Sequence, residues 1–474
     1  MRLTTQQAAE QALDFGFAAI VKQFDLPREF SAEVLAEADQ AIEAFAKDPL
    51  HGSLGNRRDA TDIPLVTLDP PTSTDLDQAF YIQKLKDQLV LHYALADVAA
   101  FVPVGGAIER EAWNRGVTIY GLANKIPLYP ASISQRAASL LPDGPRPAIL
   151  VRVAIDAEGD LTLLGVERVL CANRAKLAYP TVDLAELPHL EDFANRMWIA
   201  EARRGSKRFQ FPEQEVITDP TAAGGVRLEL RTPLYSEEVN AALSLAANMA
   251  IAEQFKAGRT GLFRIMDEPT PRALERLRLE AHALQIDWPP TVALEDLMQR
   301  LDSSDVVHKR FLLMVRRAGG RASYAVYSDK SAPWHAAMGA AYVHATAPMR
   351  RLADRYVLEL AYRLANGRSI PQSLQAALQD LPAVMASGSG RARAVVQAVI
   401  DLIEAVSLQH RLGEVLKAEV VDADAKIVQT FDSAIRSRAA KLPSTVNDGD
   451  IVSVRIDEAD PVQRRVVLTS VRDS

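Results

Sequence analysis

Three carboxylates, Asp69, Asp75 and Asp77, fall within nine residues of the segment Val66-Thr67-Leu68-Asp69-Pro70-Pro71-Thr72-Ser73-Thr74-Asp75-Leu76-Asp77-Gln78-Ala79-Phe80, with no Lys or Arg between them. Side chains alternate along an extended segment, so Asp75 and Asp77 are expected on one side, and Asp69 can join them across the loop. Carboxylates gathered in this way repel one another unless a divalent cation lies among them. Mg²⁺ is the natural occupant, because it is a hard ion that takes oxygen ligands and keeps positions open for water and substrate phosphate. Such a centre suits phosphodiester hydrolysis, where a metal generates hydroxide and stabilises the leaving oxygen. The same Asp-Pro-Pro and Ser-Thr-Asp types also serve as solvated turn and cap residues. Alone, the segment leaves both readings open.

A second constellation is Tyr342-Val343-His344-Ala345-Thr346-Ala347-Pro348-Met349-Arg350-Arg351-Leu352-Ala353-Asp354-Arg355. Pro348 predicts a helix start, which places Arg350 and Arg351 in a first turn where guanidinium groups and backbone amides can converge on phosphate. Asp354, four residues after Arg350, is within reach to orient it. Arg351, His344 and Thr346 are the other substrate-side candidates of this run. A helix start with a surface ion pair is the plainer alternative.

The elements that must position these groups fall into three zones. Up to about residue 60 the chain reads as helical: Thr4 and Gln7 have the form of a capping box, Asp25-Leu26-Pro27 stops the first helix, and Ser31 is placed to cap a second that ends at Asp48-Pro49. This is a helical or helix-turn-helix-like module. Residues 61–408 open with strand patterns at 65–68, 79–85, 89–95, 149–155 and 161–170. Helical spacing follows at 236–254, 271–285, 304–318, 348–366 and 388–408. Residues 412–474 return to short alternating strands around the turn Asn447-Asp448-Gly449-Asp450, which predicts an all-β OB-type barrel. The expected fold class is therefore multidomain α+β.

Taken together, the two constellations resemble the RNB-type exoribonucleases, the ribonuclease II and ribonuclease R family. Also contributing are Tyr93-Ala94-Leu95-Ala96-Asp97-Val98, Arg115-Gly116-Val117-Thr118-Ile119-Tyr120, Ile126-Pro127-Leu128-Tyr129-Pro130 and Ser139-Leu140-Leu141-Pro142. The likeness runs over residues 62–408, and it makes the last zone the RNA-binding OB barrel of that family. It implies processive hydrolysis of single-stranded RNA from its 3′ end to nucleoside 5′-monophosphates, with Mg²⁺. Asp69, Asp75 and Asp77 match the family's metal-binding aspartates, Asp77 and Arg350 its catalytic pair, and Tyr120 an aromatic residue that stacks on the terminal base. Stacking tolerates every base, as an exonuclease without sequence preference requires. Gln78 stands where the best-known members carry a fourth acid; it can still donate an oxygen to the metal but brings no charge. A catalytically weak RNA-binding protein that keeps the nuclease fold is the alternative function.

Composition bounds these readings. Of 474 residues, 54 are Lys or Arg and 61 Asp or Glu, a net charge of −7, which does not suit a protein that coats nucleic acid by bulk charge. A local basic groove beside an acidic metal site remains compatible with that average. Cys171, the single cysteine, allows no intramolecular disulfide and no cysteine zinc cluster. A cytoplasmic monomer that acts on RNA and does not enter a membrane is expected. A glycosidase would need a raised-pKa acid and a sugar cleft, and no residue pattern here specifies either.

Overall fold

Ser31 accepts a hydrogen bond from the Val34 amide at 3.3 Å and caps the helix Ala32–Lys47. The helix before it is Thr5–Gln23. The computed structural model describes residues 5–52, 54–121, 125–205, 213–219, 225–231, 233–302, 305–431 and 435–471, so the expected cap at Thr4 lies outside the described residues. The N-terminal helices are tied to the body of the protein through the helix Ala107–Arg115. Glu37 accepts from the Ala107 and Ile108 amides at 2.7 and 3.0 Å, capping that helix through the partial positive charge of its first turn. Arg115 at its far end is buried over the Phe30 ring, 3.9 Å from the centroid, and donates to the carbonyls of Pro27, Glu29 and Pro127 at 2.9, 2.9 and 3.0 Å.

The central sheet has six strands in the order Arg58–Asp59, Leu161–Ala178, Leu65–Asp69, Gln78–Leu85, Gln88–Ala96 and Pro145–Ile155. The long strand Leu161–Ala178 does double duty. Up to Ala172 it pairs antiparallel with Pro145–Ile155, and from Asn173 it runs parallel to Leu65–Asp69, so it links both sides of the sheet. Apolar residues dominate Pro145–Ile155 on both faces, as burial on both sides requires. Helix Tyr235–Ala257 packs against the sheet with Val239, Leu243, Ala246, Ala247 and Ile251 fully buried. A buried charge network ties sheet to helix Leu352–Ala365: Asp97 accepts from Arg57 at 3.1 Å and from Arg168 at 3.3 Å, and Arg168 also pairs with Glu359.

Strands Leu262–Ile265 and Ser323–Val326 pair antiparallel, and the helices Pro271–Ala283, Leu294–Arg300 and Val306–Ala318 lie between them in sequence. These three helices close over a small core of their own that includes Leu277, Leu297, Phe311 and Leu312. Helix Gln372–Leu408 carries Pro382 inside it, so it begins well before the expected start at 388. It packs on the closing barrel, whose strands Val415–Asp422, Ile427–Thr430, Arg436–Ala440, Arg465–Val471 and Ile451–Asp460 form a closed five-stranded sheet in that order. Among the described residues no helix is long and apolar enough to cross a membrane.

Candidate active site

The acidic loop between Leu65–Asp69 and Gln78–Leu85 is pinned from outside. Ser139 Oγ accepts from the Leu76 amide at 2.9 Å and donates to the Thr74 carbonyl at 2.8 Å, while Lys176 Nζ donates to the Pro71 carbonyl at 2.7 Å. Leu76 between the two acids is fully buried, which turns Asp75 and Asp77 to the other side as alternation demands. Asp77 is itself buried: its Oδ1 accepts from the Met349 amide at 2.8 Å, and Arg350 Nε lies 3.5 Å from its Oδ2. Burial pushes the Asp77 carboxyl up to about 7, against the opposing pull of Arg350 and the Met349 amide. Asp69 is pushed up to about 6, again first by burial, with Lys176 and Arg350 opposing. Arg350 thus acts on both carboxylates at once. Its side chain is 45% exposed and forms its one ion pair among the described residues with Asp77.

Tyr120 is 47% exposed, and the charges acting on its hydroxyl are Arg350, Asp75, Asp77 and Arg351, so an exposed aromatic ring stands beside the acids and the arginine. Its loop is fixed at the base. Ile119 and Ile126 exchange backbone hydrogen bonds of 2.9 and 2.8 Å, and the Thr118 amide donates to the Arg350 carbonyl at 2.9 Å, which hands the loop directly to the arginine segment.

The arginine segment differs from its expected form. The helix starts at Leu352, not Pro348, and residues 347–350 form a turn in which the Ala347, Met349 and Arg350 amides donate. Asp354 does not orient Arg350. It is fully buried, accepts from the Ala347 amide at 2.8 Å and takes a two-pronged pair from Arg351, with Nε at 2.9 Å from Oδ1 and Nη2 at 2.7 Å from Oδ2. Arg351 is therefore committed to Asp354, with its side chain 22% exposed. Thr346 is likewise turned inward: it is buried, its carbonyl accepts from Gln78 Nε2 at 2.5 Å and its Oγ1 accepts from Asn248 at 3.4 Å. His344 packs edge-on between the Tyr324 and Tyr342 rings, with its Nδ1 2.8 Å from the Tyr324 hydroxyl. Burial, with Arg351 and Arg264 nearby, holds it far below the usual imidazole range and so neutral.

Gln78, expected as an oxygen donor beside the aspartates, has its amide fully committed elsewhere. Its Oε1 accepts from the Tyr93 hydroxyl and from Ser244 Oγ, the latter at 3.1 Å, while its Nε2 serves Thr346. The polar residues of helix Tyr235–Ala257 explain why. Asn240, Ser244 and Asn248 recur every four residues, and each hydrogen-bonds to the segments that carry the site. Asn240 donates to the Leu68 carbonyl at 3.3 Å and the Tyr179 hydroxyl at 2.9 Å, and Asn248 accepts from the Ala345 amide at 2.9 Å. They form the polar backing on which both constellations rest.

Two observations test the carboxylates against a divalent cation. Asp69 Oδ2 is buried without a hydrogen-bond partner, a place a hard cation would satisfy. No three His, Cys, Asp or Glu side chains among the described residues stand close enough to hold one ion in this arrangement, in which Arg350 pairs with Asp77 and Lys125 with Asp75; one or two carboxylates with water and phosphate suffice for Mg²⁺. Lys125 Nζ lies 2.7 Å from Asp75 Oδ1. Its place at the site was not foreseen, although the sequence carries a signal: it is the single charged residue between Arg115 and Arg136.

A model of the RNB domain matches residues 57–366, a span that holds the acids, Tyr120 and Arg350 alike. The chain belongs to the RNB domain family. Similar RNB proteins include ribonuclease R of Thermotoga maritima, 26% identical over 434 residues that cover 85% of this chain and 60% of that protein. Ribonuclease R of Escherichia coli is 26% identical over 343 residues, covering 67% of this chain and 41% of that one. The chain thus spans about 60% or less of the length of these relatives. Among solved structures, ribonuclease R of Mycoplasma genitalium in complex with ribose-methylated single-stranded RNA superposes with a TM-score of 0.83 at 18% identity, over 97% of this chain and 78% of that one. Yeast Ssd1, described as a pseudonuclease, superposes with a TM-score of 0.66 at 16% identity, over 94% of this chain and 57% of that one. At these identities the superpositions establish the RNB fold with its closing barrel.

Proposed function

We propose that the chain is a 3′-to-5′ exoribonuclease that hydrolyses single-stranded RNA processively to nucleoside 5′-monophosphates, with Mg²⁺ held by Asp69, Asp75 and Asp77. The observation that carries this reading is Arg350, set against buried Asp77 and acting also on Asp69, with Tyr120 exposed nearby. Ribonuclease R relatives and the RNA-bound structure of one of them support it.

In hydrolysis, water oxygen bonds to the phosphorus of the last phosphodiester, and the bond from that phosphorus to the 3′ oxygen of the preceding nucleotide breaks. The 3′ oxygen leaves with a proton, and the terminal nucleotide departs as its 5′-monophosphate. When bound, Mg²⁺ supplies a nucleophilic hydroxide and neutralises charge on the phosphoryl oxygens. Burial raises the Asp69 and Asp77 carboxyls to about 6 and about 7, so near pH 7 any proton they still hold would pass to water as a cation took its place. Arg350 offers its guanidinium fork to a phosphoryl oxygen as negative charge develops there. Tyr120 supports the terminal base by stacking, and the Thr118 to Arg350 backbone bond keeps ring and guanidinium in register.

Incubation of the protein with a 5′-labelled oligoribonucleotide, with Mg²⁺ and with EDTA, tests the proposal. Stepwise shortening and mononucleotide release with Mg²⁺ alone are expected. A second reading, a weakly active or inactive RNA binder, draws support from the full engagement of the Gln78 amide and the pairing of Asp75 with Lys125. RNA binding without any mononucleotide release would favour it.

A further inference from the structure

Lys125 belongs to none of the roles assigned above, yet it touches the site. Its ammonium is 2.7 Å from Asp75 Oδ1, and both side chains are mostly buried. The Ile119–Ile126 pair closes the loop that carries Tyr120 and Lys125, and Arg115 donates to the Pro127 carbonyl at 3.0 Å just beyond. With that base fixed, Lys125 is held to the acidic loop by position and not by chance of a long side chain. Lys176 offers a contrast: its ammonium goes to a backbone carbonyl, so it braces the loop without taking a carboxylate.

We propose that Lys125 is a positioning residue for Asp75, a resident ammonium that neutralises this carboxylate in the metal-free protein and competes with the divalent cation for it. The inference rests on the nuclease reading, in which Asp75 is a metal ligand. Its consequences have opposite signs in two assays. Removing the ammonium leaves an unpaired carboxylate, which attracts Mg²⁺ more strongly and repels RNA phosphate more strongly while no metal is present.

The test uses the full chain and its Lys125→Met and Lys125→Arg variants. Mg²⁺ binding without RNA is measured by titration calorimetry, and binding of a single-stranded oligoribonucleotide in EDTA by fluorescence anisotropy. Lys125→Met is expected to bind Mg²⁺ about tenfold more tightly and RNA in EDTA several-fold more weakly, whereas Lys125→Arg keeps both near wild type. A loop that is merely loosened would lower both affinities. Mg²⁺ affinity in Lys125→Met within twofold of wild type overturns the inference and leaves the nuclease reading standing. Absence of Mg²⁺ binding in all three proteins overturns both.

Discussion

The Met349 amide donates to Asp77 Oδ1 at 2.8 Å, joining residues 272 positions apart. This bond fixes the start of strand Gln78–Leu85 to the turn that carries Arg350, so the acid and the guanidinium are placed by one shared contact and not by two independent loops. Asp77→Asn keeps an oxygen for the Met349 amide and removes the charge. Turnover of a labelled oligoribonucleotide should fall by about 10² to 10⁴, with RNA affinity retained. Near wild-type turnover would remove Asp77 from the chemistry.

Adjacent arginines should respond in different ways. Arg350→Lys loses the bidentate fork and should lose most activity while its melting temperature stays close to wild type, since the side chain is half exposed and loosely paired. Arg351→Met instead strands the fully buried Asp354 carboxylate and should cost about 3–5 kcal/mol of stability in denaturant unfolding. Equal stability losses in the two variants would contradict this division of labour.

Much of this arrangement was legible in the residues themselves, and the remainder was hidden for a physical reason. Ser31, Pro49 and the strand alternation at 65–68 and 79–85 report local preferences, and the elements stand where those preferences put them. Pro348 is also a good first residue for a helix, but the amides of this turn are claimed by tertiary partners: Asp354 takes that of Ala347 and Asp77 that of Met349, so the helix opens only at Leu352. Strand Arg436–Ala440 reads Arg-Ser-Arg-Ala-Ala, without a β-branched or aromatic residue, and exists because neighbours in the barrel pair with it on both sides. The partners of Lys125 and Gln78 are separated from them by 50 and 268 positions in the cases of Asp75 and Thr346. No local pattern carries that information.

The closing barrel carries an exposed aromatic residue after its second strand, and OB-type barrels bind oligonucleotides at their second and third strands. Phe431 follows strand Ile427–Thr430 and is 60% exposed. Phe431→Ala should weaken binding of long single-stranded RNA by about 1–3 kcal/mol, the scale of one lost stacking contact, and leave cleavage of very short RNA unchanged. Equal effects on short and long substrates would place Phe431 outside the RNA path.

His335 makes acid a specific threat to the fold. Burial, with Arg264 nearby, lowers its imidazole from 6.5 to about 4. The folded-state value is depressed, so the contribution to stability is complete above pH 6.5 and is lost as pH falls toward 4, where the unfolded chain takes up a proton that the folded chain refuses. Full loss amounts to about 2 kcal/mol once solvent screening of the ring is discounted. Denaturant unfolding of wild type and His335→Gln between pH 7.5 and 4.5 checks it: the variant should show the shallower decline, and parallel curves would contradict the assignment.

Gln78 allows the metal shell to be probed from its margin. Its amide nitrogen donates to the Thr346 carbonyl at 2.5 Å, and its oxygen receives the Tyr93 and Ser244 hydroxyls. Gln78→Glu replaces that donor by an acceptor facing a carbonyl, so a buried hydrogen bond becomes a repulsive contact costing about 1–3 kcal/mol. If the side chain stays in this polar backing, the added charge does not reach the cation, and the Mg²⁺ concentration for half-maximal activity should be unchanged while the melting temperature falls. The opposite pattern, a lower Mg²⁺ midpoint with stability restored by the metal, would mean that the carboxylate has turned to join Asp69, Asp75 and Asp77. Gln78→Leu distinguishes loss of the hydrogen bonds from gain of charge. It removes the donor to Thr346 and also the acceptor for Tyr93 and Ser244 without adding an acid, so it should lower the melting temperature too while keeping the wild-type Mg²⁺ midpoint.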